Sequence, residues 1–128
     1  MKKKILLVDD IKEFRALLKI LLSGNYEVIT AEDGEEALRF IEDGLTPDVV
    51  VTDLVMPRMD GYQLISKMKS TDNYKQIPII VLSNVDEAKK KRELEQGGVQ
   101  NFLHKPFSAA ELREGLGRSL SSILALQN

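Results

Sequence analysis

Short apolar runs alternate along the chain with segments whose apolar residues recur every three or four positions. Runs of the first kind predict buried β-strands, and segments of the second kind predict helices that bury one face. The predicted strands cover 4–8, 26–31, 48–53, 77–82 and 99–103, and a helical pattern follows each of them. This strict alternation predicts an α/β fold, in which a parallel sheet carries helices on both faces and is joined by right-handed crossovers.

Composition narrows the class of protein. The 128 residues fit one domain spanning 1–128, and the 43% hydrophobic and 30% charged fractions are typical of a soluble globular protein. No apolar run approaches the roughly 20 residues that cross a bilayer, so we expect no membrane insertion. The basic start is followed by an apolar run that stops at Asp9, which argues against a secretion signal and predicts a cytoplasmic protein.

Two residue types limit the chemistry further. The chain has no cysteine and one histidine, which excludes a disulfide framework, a thiolate nucleophile and a His-rich metal site. His104, the single histidine, is predicted to be an exposed loop residue. The net charge of −2 argues against direct nucleic-acid binding, which usually requires a basic surface.

The third predicted strand carries the most informative residue. It is a β-branched apolar run that ends on Asp53 and continues into the turn-forming stretch 57–61. A carboxylate at the end of a buried strand is costly unless a cation lies nearby, because burial disfavours its charged form. We therefore expect a cation close to Asp53.

Polar residues also end the other predicted strands. Ligands of such sheets bind at the carboxyl ends of the strands, which share one edge. The residues predicted to meet there are Asp9, Asp10, Asp53, Ser83 and Lys105. Three converging carboxylates require a cation, and oxygen ligands favour a hard ion, Mg²⁺ or Mn²⁺. Ser83 adds a hydroxyl donor, and Lys105 adds a mobile positive charge for a phosphoryl oxygen.

These signatures together resemble the receiver domain of two-component response regulators, over essentially the whole chain. They are Asp9-Asp10, Asp53-Leu54-Val55-Met56-Pro57-Arg58-Met59-Asp60-Gly61, Ser83 and Lys105-Pro106-Phe107. The resemblance implies a flavodoxin-like (CheY-like) doubly wound sheet of five parallel strands in the order 2-1-3-4-5, with five helices. It also implies a single receiver domain.

The resemblance assigns roles to the acidic residues. Asp53 matches the phosphoryl acceptor, which forms an aspartyl phosphate. Asp10 and Asp53 match direct ligands of Mg²⁺, the backbone carbonyl of Val55 matches a third ligand, and Asp9 lies nearby, largely through water.

The remaining signature residues receive roles in binding and switching. Ser83 and Lys105 would hold phosphoryl oxygens. Phe102 matches the aromatic residue that changes rotamer when the serine moves toward the phosphate. The Lys105–Pro106 peptide bond is predicted to be cis.

The implied function is a signalling switch and not a turnover enzyme. A phosphohistidine donor, in a histidine kinase or a histidine phosphotransfer protein, would transfer its phosphoryl group to Asp53. The surface of the fourth helix, fifth strand and fifth helix would then change and control an unknown partner protein. We expect a monomer, and the sequence also allows dimerisation that depends on phosphorylation. Ile20 and Leu22 are candidates for the patch that the phosphoryl donor contacts.

Two positions depart from the usual family pattern. Asn84 stands where a small alanine is common, and Val55 places an apolar side chain where some members have a polar one. These departures predict a narrower site and a long-lived phosphoryl group.

Alternatives remain for single residues and for the whole chain. Asp9 or Asp10 alone could cap the following helix, and the basic run 89–92 is either a solvated helix face or part of a docking surface. The fold class also allows a flavodoxin-type electron carrier, although acidic strand ends would repel a flavin phosphate. A Mg²⁺-dependent phosphatase would need an acid where Val55 stands. The last alternative is a receiver-like module that is never phosphorylated.

Overall fold

The computed structural model describes residues 2–84, 88–99 and 101–127. The strands are β1 (Lys3–Val8), β2 (Tyr26–Ala31), β3 (Val49–Asp53), β4 (Ile79–Ser83) and β5 (Asn101–His104). The helices are α1 (Lys12–Leu22), α2 (Gly34–Glu42), α3 (Gly61–Lys69), α4 (Ala88–Gln96) and α5 (Ala109–Gln127). All strand pairs are parallel and their order is β2-β1-β3-β4-β5, which confirms the predicted fold.

Four strands differ at their ends from the sequence prediction, and β1 begins one residue earlier, at Lys3. The side chain of Asp48 accepts a hydrogen bond from the Lys4 amide at 2.7 Å, so β3 begins one residue later. Pro78 lacks an N–H, and β4 begins after it and extends to Ser83. The amide of Val99 donates to Leu94 at the end of α4, so this residue closes the helix instead of starting β5.

Side-chain caps fix the beginnings of three helices. Asp33 accepts the Glu36 amide at the start of α2, and Asp60 forms a reciprocal capping box with Gln63 at the start of α3. The Ser108 hydroxyl accepts the amide of Glu111 at 3.1 Å, which confirms the predicted cap of α5. The predicted first turn of the fourth helix, residues 86 and 87, lies outside the described residues.

The sheet separates two apolar cores, because alternate residues of each strand point to opposite faces. The core beneath α2, α3 and α4 includes Leu6, Val8, Val50, Leu64, Met68, Val81 and Leu94. The core beneath α1 and α5 includes Ile5, Leu7, Leu18, Leu22, Val51, Ile80, Leu112 and Leu116. The central strands are therefore covered on both faces, as their continuous apolar sequences predict.

The burial of the α1 residues differs from the prediction of a docking patch at Ile20 and Leu22. Leu22 is 1% exposed and belongs to the core, so its predicted place in a docking patch is wrong. Ile20, in contrast, is 74% exposed, and Leu17 and Leu21 are also exposed. In the described part of the chain, no helix is long and apolar enough to span a membrane.

Candidate functional site

Three carboxylates meet at the carboxyl edge of the sheet. Asp9 and Asp10 follow β1, and Asp53 ends β3; one carboxylate oxygen from each lies within 4.8 Å of the others. Asp9 is fully buried, Asp53 is half-buried and Asp10 is exposed. The structure thus brings together the acidic residues that the sequence placed at this edge.

Burial has the largest influence on the pKa of Asp9. Desolvation raises the pKa of this carboxyl and outweighs the hydrogen bond that its Oδ1 accepts from the Ile11 amide at 2.8 Å. The charge of Lys105 lowers the pKa, whereas the charge of Asp53 raises it further. Asp9 therefore holds its negative charge at a cost, which an additional cation would relieve.

Lys105 bridges two of the carboxylates. Its Nζ lies 3.0 Å from Oδ2 of Asp53 and 3.4 Å from Oδ2 of Asp9, and its side chain is 15% exposed. Burial lowers the pKa of Lys105, but the hydrogen bond and charge of Asp53, together with Asp9, raise it overall. The lysine is consequently held in its charged form against the predicted acceptor.

Ser83 lies at the same edge. It ends β4 beside β3, and its backbone carbonyl accepts the Lys105 amide at 2.9 Å. Ser83 pairs in register with His104. His104 is exposed as predicted, but its predicted place in a loop is wrong, because it pairs with Ser83 as the last residue of β5. The following Lys105–Pro106 peptide bond is cis, which confirms that prediction.

The loop after Asp53 is held by close backbone packing. The Leu54 amide donates to Oδ1 of Asp53 at 2.7 Å, and the Gly61 amide donates to the Leu54 carbonyl at 2.9 Å. A Cβ on Gly61 would lie 2.1 Å from the Asp53 carbonyl oxygen, so only glycine fits there. Val55 is 71% exposed at the mouth of the site.

A second contact, which no sequence pattern indicated, anchors this loop. Arg58 has a positive φ of 63° and its guanidinium pairs with the buried carboxylate of Asp33 and with Glu32. The Gly34 amide also donates to the carbonyl of Met59 at 2.9 Å. Arginine at a left-handed position is an unusual choice, but its partner cannot be identified without the fold.

Aromatic rings surround the lysine side of the site. Lys105 Nζ lies 4.9 Å from the ring centre of Phe14, a residue of α1. Phe14, Asn84, Lys105, Pro106 and Phe107 line an open cavity of about 370 Å³. The ring of Phe14 is half-buried and packs against the core beneath α1 and α5.

Phe102 lies on β5 and packs against the core beneath α2, α3 and α4. Its ring is half-buried, and Nζ of Lys91 from α4 lies 5.4 Å from the ring centre. The ring thus sits between α4 and the sheet, where a change of its rotamer would alter the surface formed by α4 and β5.

The donor set fits a hard divalent cation. Every donor is an oxygen, and three carboxylates with one ammonium leave two negative charges, which one divalent ion would neutralise. The exposure of Asp10 leaves room for the waters that Mg²⁺ retains.

Comparison with known proteins agrees with this geometry. A family model for the response regulator receiver domain matches residues 5–116. The chain is 35% identical over 115 residues to chemotaxis protein CheY1 of Helicobacter pylori, covering 88% of this chain and 93% of that protein. It is also 38% identical over 110 residues to protein PilG of Pseudomonas aeruginosa, covering 85% and 81% of the two chains.

The chain is also similar to solved structures and to segments of much longer proteins. The chemotaxis response regulator CheY4 of Vibrio cholerae superposes with a TM-score of 0.85 at 34% identity, covering 94% of this chain and all of that one. Sensor histidine kinase TmoS of Ectopseudomonas mendocina is 37% identical over 122 residues, which are 95% of this chain. The chain spans only 12% of that kinase and 7% of hybrid signal transduction histidine kinase D of Dictyostelium discoideum. From its sequence, its fold and its acidic strand ends, the chain belongs to the response regulator receiver domain family of two-component signalling.

Proposed function

We propose that this chain is a phosphorylation-dependent switch that accepts a phosphoryl group on Asp53. The observation that carries the proposal is the ammonium of Lys105, 3.0 Å from Asp53 Oδ2, beside carboxylates that suit a divalent cation. Asp53 and Lys105 together supply an acceptor oxygen and a positive charge at the same point. Residues 1–128 would form one receiver domain, monomeric and cytoplasmic.

The metal would be held by the acidic edge. Asp10, Asp53 and the backbone carbonyl of Val55 are the proposed direct ligands of Mg²⁺ or Mn²⁺, and Asp9 would act through water. When bound, the ion supplies charge neutralisation for the transferring phosphoryl oxygens. The raised pKa of Asp9 supports this assignment, because a nearby divalent cation would favour its charged form.

The proposed reaction is an in-line displacement. A carboxylate oxygen of Asp53 forms a bond to phosphorus while the phosphorus–nitrogen bond of a phosphohistidine breaks, and the imidazole leaves with the electron pair. Lys105 exchanges its contact with Asp53 for one with a phosphoryl oxygen, and the Ser83 hydroxyl donates to another. Movement of Ser83 would empty space that Phe102 then fills, changing the α4, β5 and α5 surface.

A histidine kinase or histidine phosphotransfer protein is the proposed donor. The exposed apolar residues of α1 support a docking role, because Leu17 is 52% and Ile20 is 74% exposed. Replacing Ile20 with Lys should slow transfer from such a donor and leave phosphorylation by acetyl phosphate unchanged. Equal slowing with both donors would contradict a docking role.

Two residues at the mouth set the expected lifetime of the phosphoryl group. Val55 and Asn84 are both exposed, and Asn84 lines the cavity beside Lys105. We expect Val55→Asn and Asn84→Ala to accelerate dephosphorylation, because a polar group at 55 would order water and a smaller residue at 84 would admit it. Unchanged rates in both variants would contradict this interpretation.

Intact mass after incubation with acetyl phosphate and Mg²⁺ tests the central proposal. We expect a gain of one phosphoryl group in the wild type, and no gain in Asp53→Asn or with a chelator. No gain under any condition would favour a module that is never phosphorylated. A flavin absorption band or turnover of a phosphate ester would instead support the electron-carrier or phosphatase alternative.

A further inference from the structure

The ammonium of Lys105 contacts an aromatic ring in addition to the carboxylates of Asp9 and Asp53. Its Nζ lies 3.0 Å from Asp53 Oδ2 and 3.4 Å from Asp9 Oδ2, and also 4.9 Å from the ring centre of Phe14. A cation within about 6 Å of a phenyl face is attracted by the ring quadrupole. Phe14 therefore interacts with the same cation that the proposed acceptor binds.

The ring of Phe14 is itself fixed by a second aromatic residue. Its centre lies 6.0 Å from that of Phe107, with the two planes at 69°, which is the edge-to-face arrangement that aromatic pairs prefer. Phe14 belongs to α1, whereas Lys105 and Phe107 belong to the connection between β5 and α5. The two rings thus join α1 to the segment that carries the lysine.

A ring suits this position because it attracts the ammonium without removing its hydrogen-bonding capacity. Lysine has a flexible four-carbon stem, and it loses rotamer entropy when its end is fixed. In the proposed transfer, Lys105 must exchange a carboxylate oxygen for a phosphoryl oxygen. The contact with the phenyl face can persist throughout that exchange.

We propose that Phe14 is a positioning residue that holds the Lys105 ammonium at the acceptor during phosphoryl transfer. This inference rests on the proposed function of Asp53. It predicts that the electron distribution of the ring, and not only its size, determines the phosphorylation rate.

The test separates the two properties of the ring. Pentafluorophenylalanine incorporated at position 14 preserves the shape approximately but reverses the quadrupole. It should slow phosphorylation by acetyl phosphate about three- to tenfold. Phe14→Leu should slow the reaction similarly, and Phe14→Tyr should restore the wild-type rate. The matched control is the same fluorinated residue at Phe40, which packs against the opposite core.

A second measurement does not depend on phosphorylation. Protons of the Lys105 ε-methylene should resonate upfield in the wild type through the ring current of Phe14, and this shift should disappear in Phe14→Leu. A fluorinated protein that reacts at the wild-type rate, or a lysine resonance unaffected by Phe14→Leu, would overturn the inference. A wild type that takes up no phosphoryl group would instead contradict the proposed function, and the resonance would still report the contact.

Discussion

Asp9 and Asp33 are both almost completely buried beside a cation, yet their pKa values move in opposite directions. The exposed fractions of the two residues are 0% and 2%, and in both cases burial is the largest influence and raises the pKa. The net pKa is raised for Asp9 and lowered for Asp33. Burial alone therefore does not decide which carboxylate keeps its charge easily.

The partners of Asp33 explain its lowered pKa. Its Oδ1 accepts the Glu36 amide at 2.8 Å and its Oδ2 pairs with Arg58, and together these contacts outweigh desolvation. The carboxylate caps α2 and anchors the loop after β3 at the same time. Its charge is satisfied within the protein, as expected for a structural ion pair.

Asp9 shares its cation with a competitor. Lys105 lies closer to Asp53 than to Asp9, and the Asp53 carboxylate raises the pKa of Asp9. The acidic edge is thus left with more negative charge than the fold neutralises. This imbalance distinguishes a binding site from a structural pair, and it is consistent with the Mg²⁺ that receiver domains generally bind at an acidic pocket.

The largest expected effect on stability comes from replacing two glycines. Gly61 packs against the backbone of Asp53, and Gly34 directly follows Asp33. An added Cβ would lie 2.1 Å from the Asp53 carbonyl at Gly61, but 2.8 Å from the Met59 carbonyl at Gly34. We expect Gly61→Ala to lower the free energy of unfolding by about 3 kcal/mol or more and Gly34→Ala by about 1–2 kcal/mol. Urea denaturation measures both, with Gly24→Ala as the control because its Cβ would meet nothing within 4 Å. Equal losses would mean that the two loops are equally tolerant.

Stabilisation by metal binding should depend on the acidic edge that contains Asp9 and Asp53, and not on the ion pair of Asp33 and Arg58. At a Mg²⁺ concentration tenfold above Kd, we expect the free energy of unfolding to rise by about 1.4 kcal/mol. Asp53→Asn should abolish this gain, and Asp33→Asn should retain it. Thermal denaturation with and without Mg²⁺ measures the difference. A gain that survives in Asp53→Asn would place the ion elsewhere.

Without metal, replacing the two buried carboxylates with uncharged residues should change the stability of the fold in opposite directions. Asp9→Asn removes a charge that burial disfavours, and it should stabilise the fold by about 1 kcal/mol. Asp33→Ala removes the cap of α2 and should destabilise the fold by about 1 kcal/mol. Both follow from denaturation in the presence of a chelator. Destabilisation by Asp9→Asn would show that Lys105 fully compensates the buried carboxylate.

The smallest expected effect is the acid dependence of stability. Because the folded pKa of Asp33 is lowered, its contribution is complete above about pH 4, near the unfolded value, and is lost as the pH falls through the folded pKa. The stability difference between the wild type and Asp33→Asn should therefore shrink on acidification. Asp72→Asn is the control, since the Asp72 side chain is 93% exposed. A difference that stays constant down to pH 2 would contradict the lowered pKa.

The convergence of Asp9, Asp10 and Asp53 was predictable because parallel strands end at one edge, and each residue ends an apolar run or follows one within two positions. The ion pair of Arg58 and Asp33 was not predictable from the sequence. Its two residues are 25 positions apart, and neither lies in a sequence pattern that indicates the other as its partner. The face of α1 was misjudged for a related reason. Periodicity shows that a helix has an apolar side, but packing decides that Leu22 is buried and Leu17 exposed.

The distances along the chain between the site residues have a consequence for fragments and for synthesis. Lys105 is 52 positions from Asp53 and 96 from Asp9. A segment ending after β3 contains all three carboxylates without the lysine, so a growing chain exposes an acidic cluster long before its ammonium emerges. We expect an isolated peptide of residues 1–60 to gain order on adding Mg²⁺ only weakly, as circular dichroism would measure. The fold therefore brings Asp9 together with Lys105, which is synthesised 96 residues later.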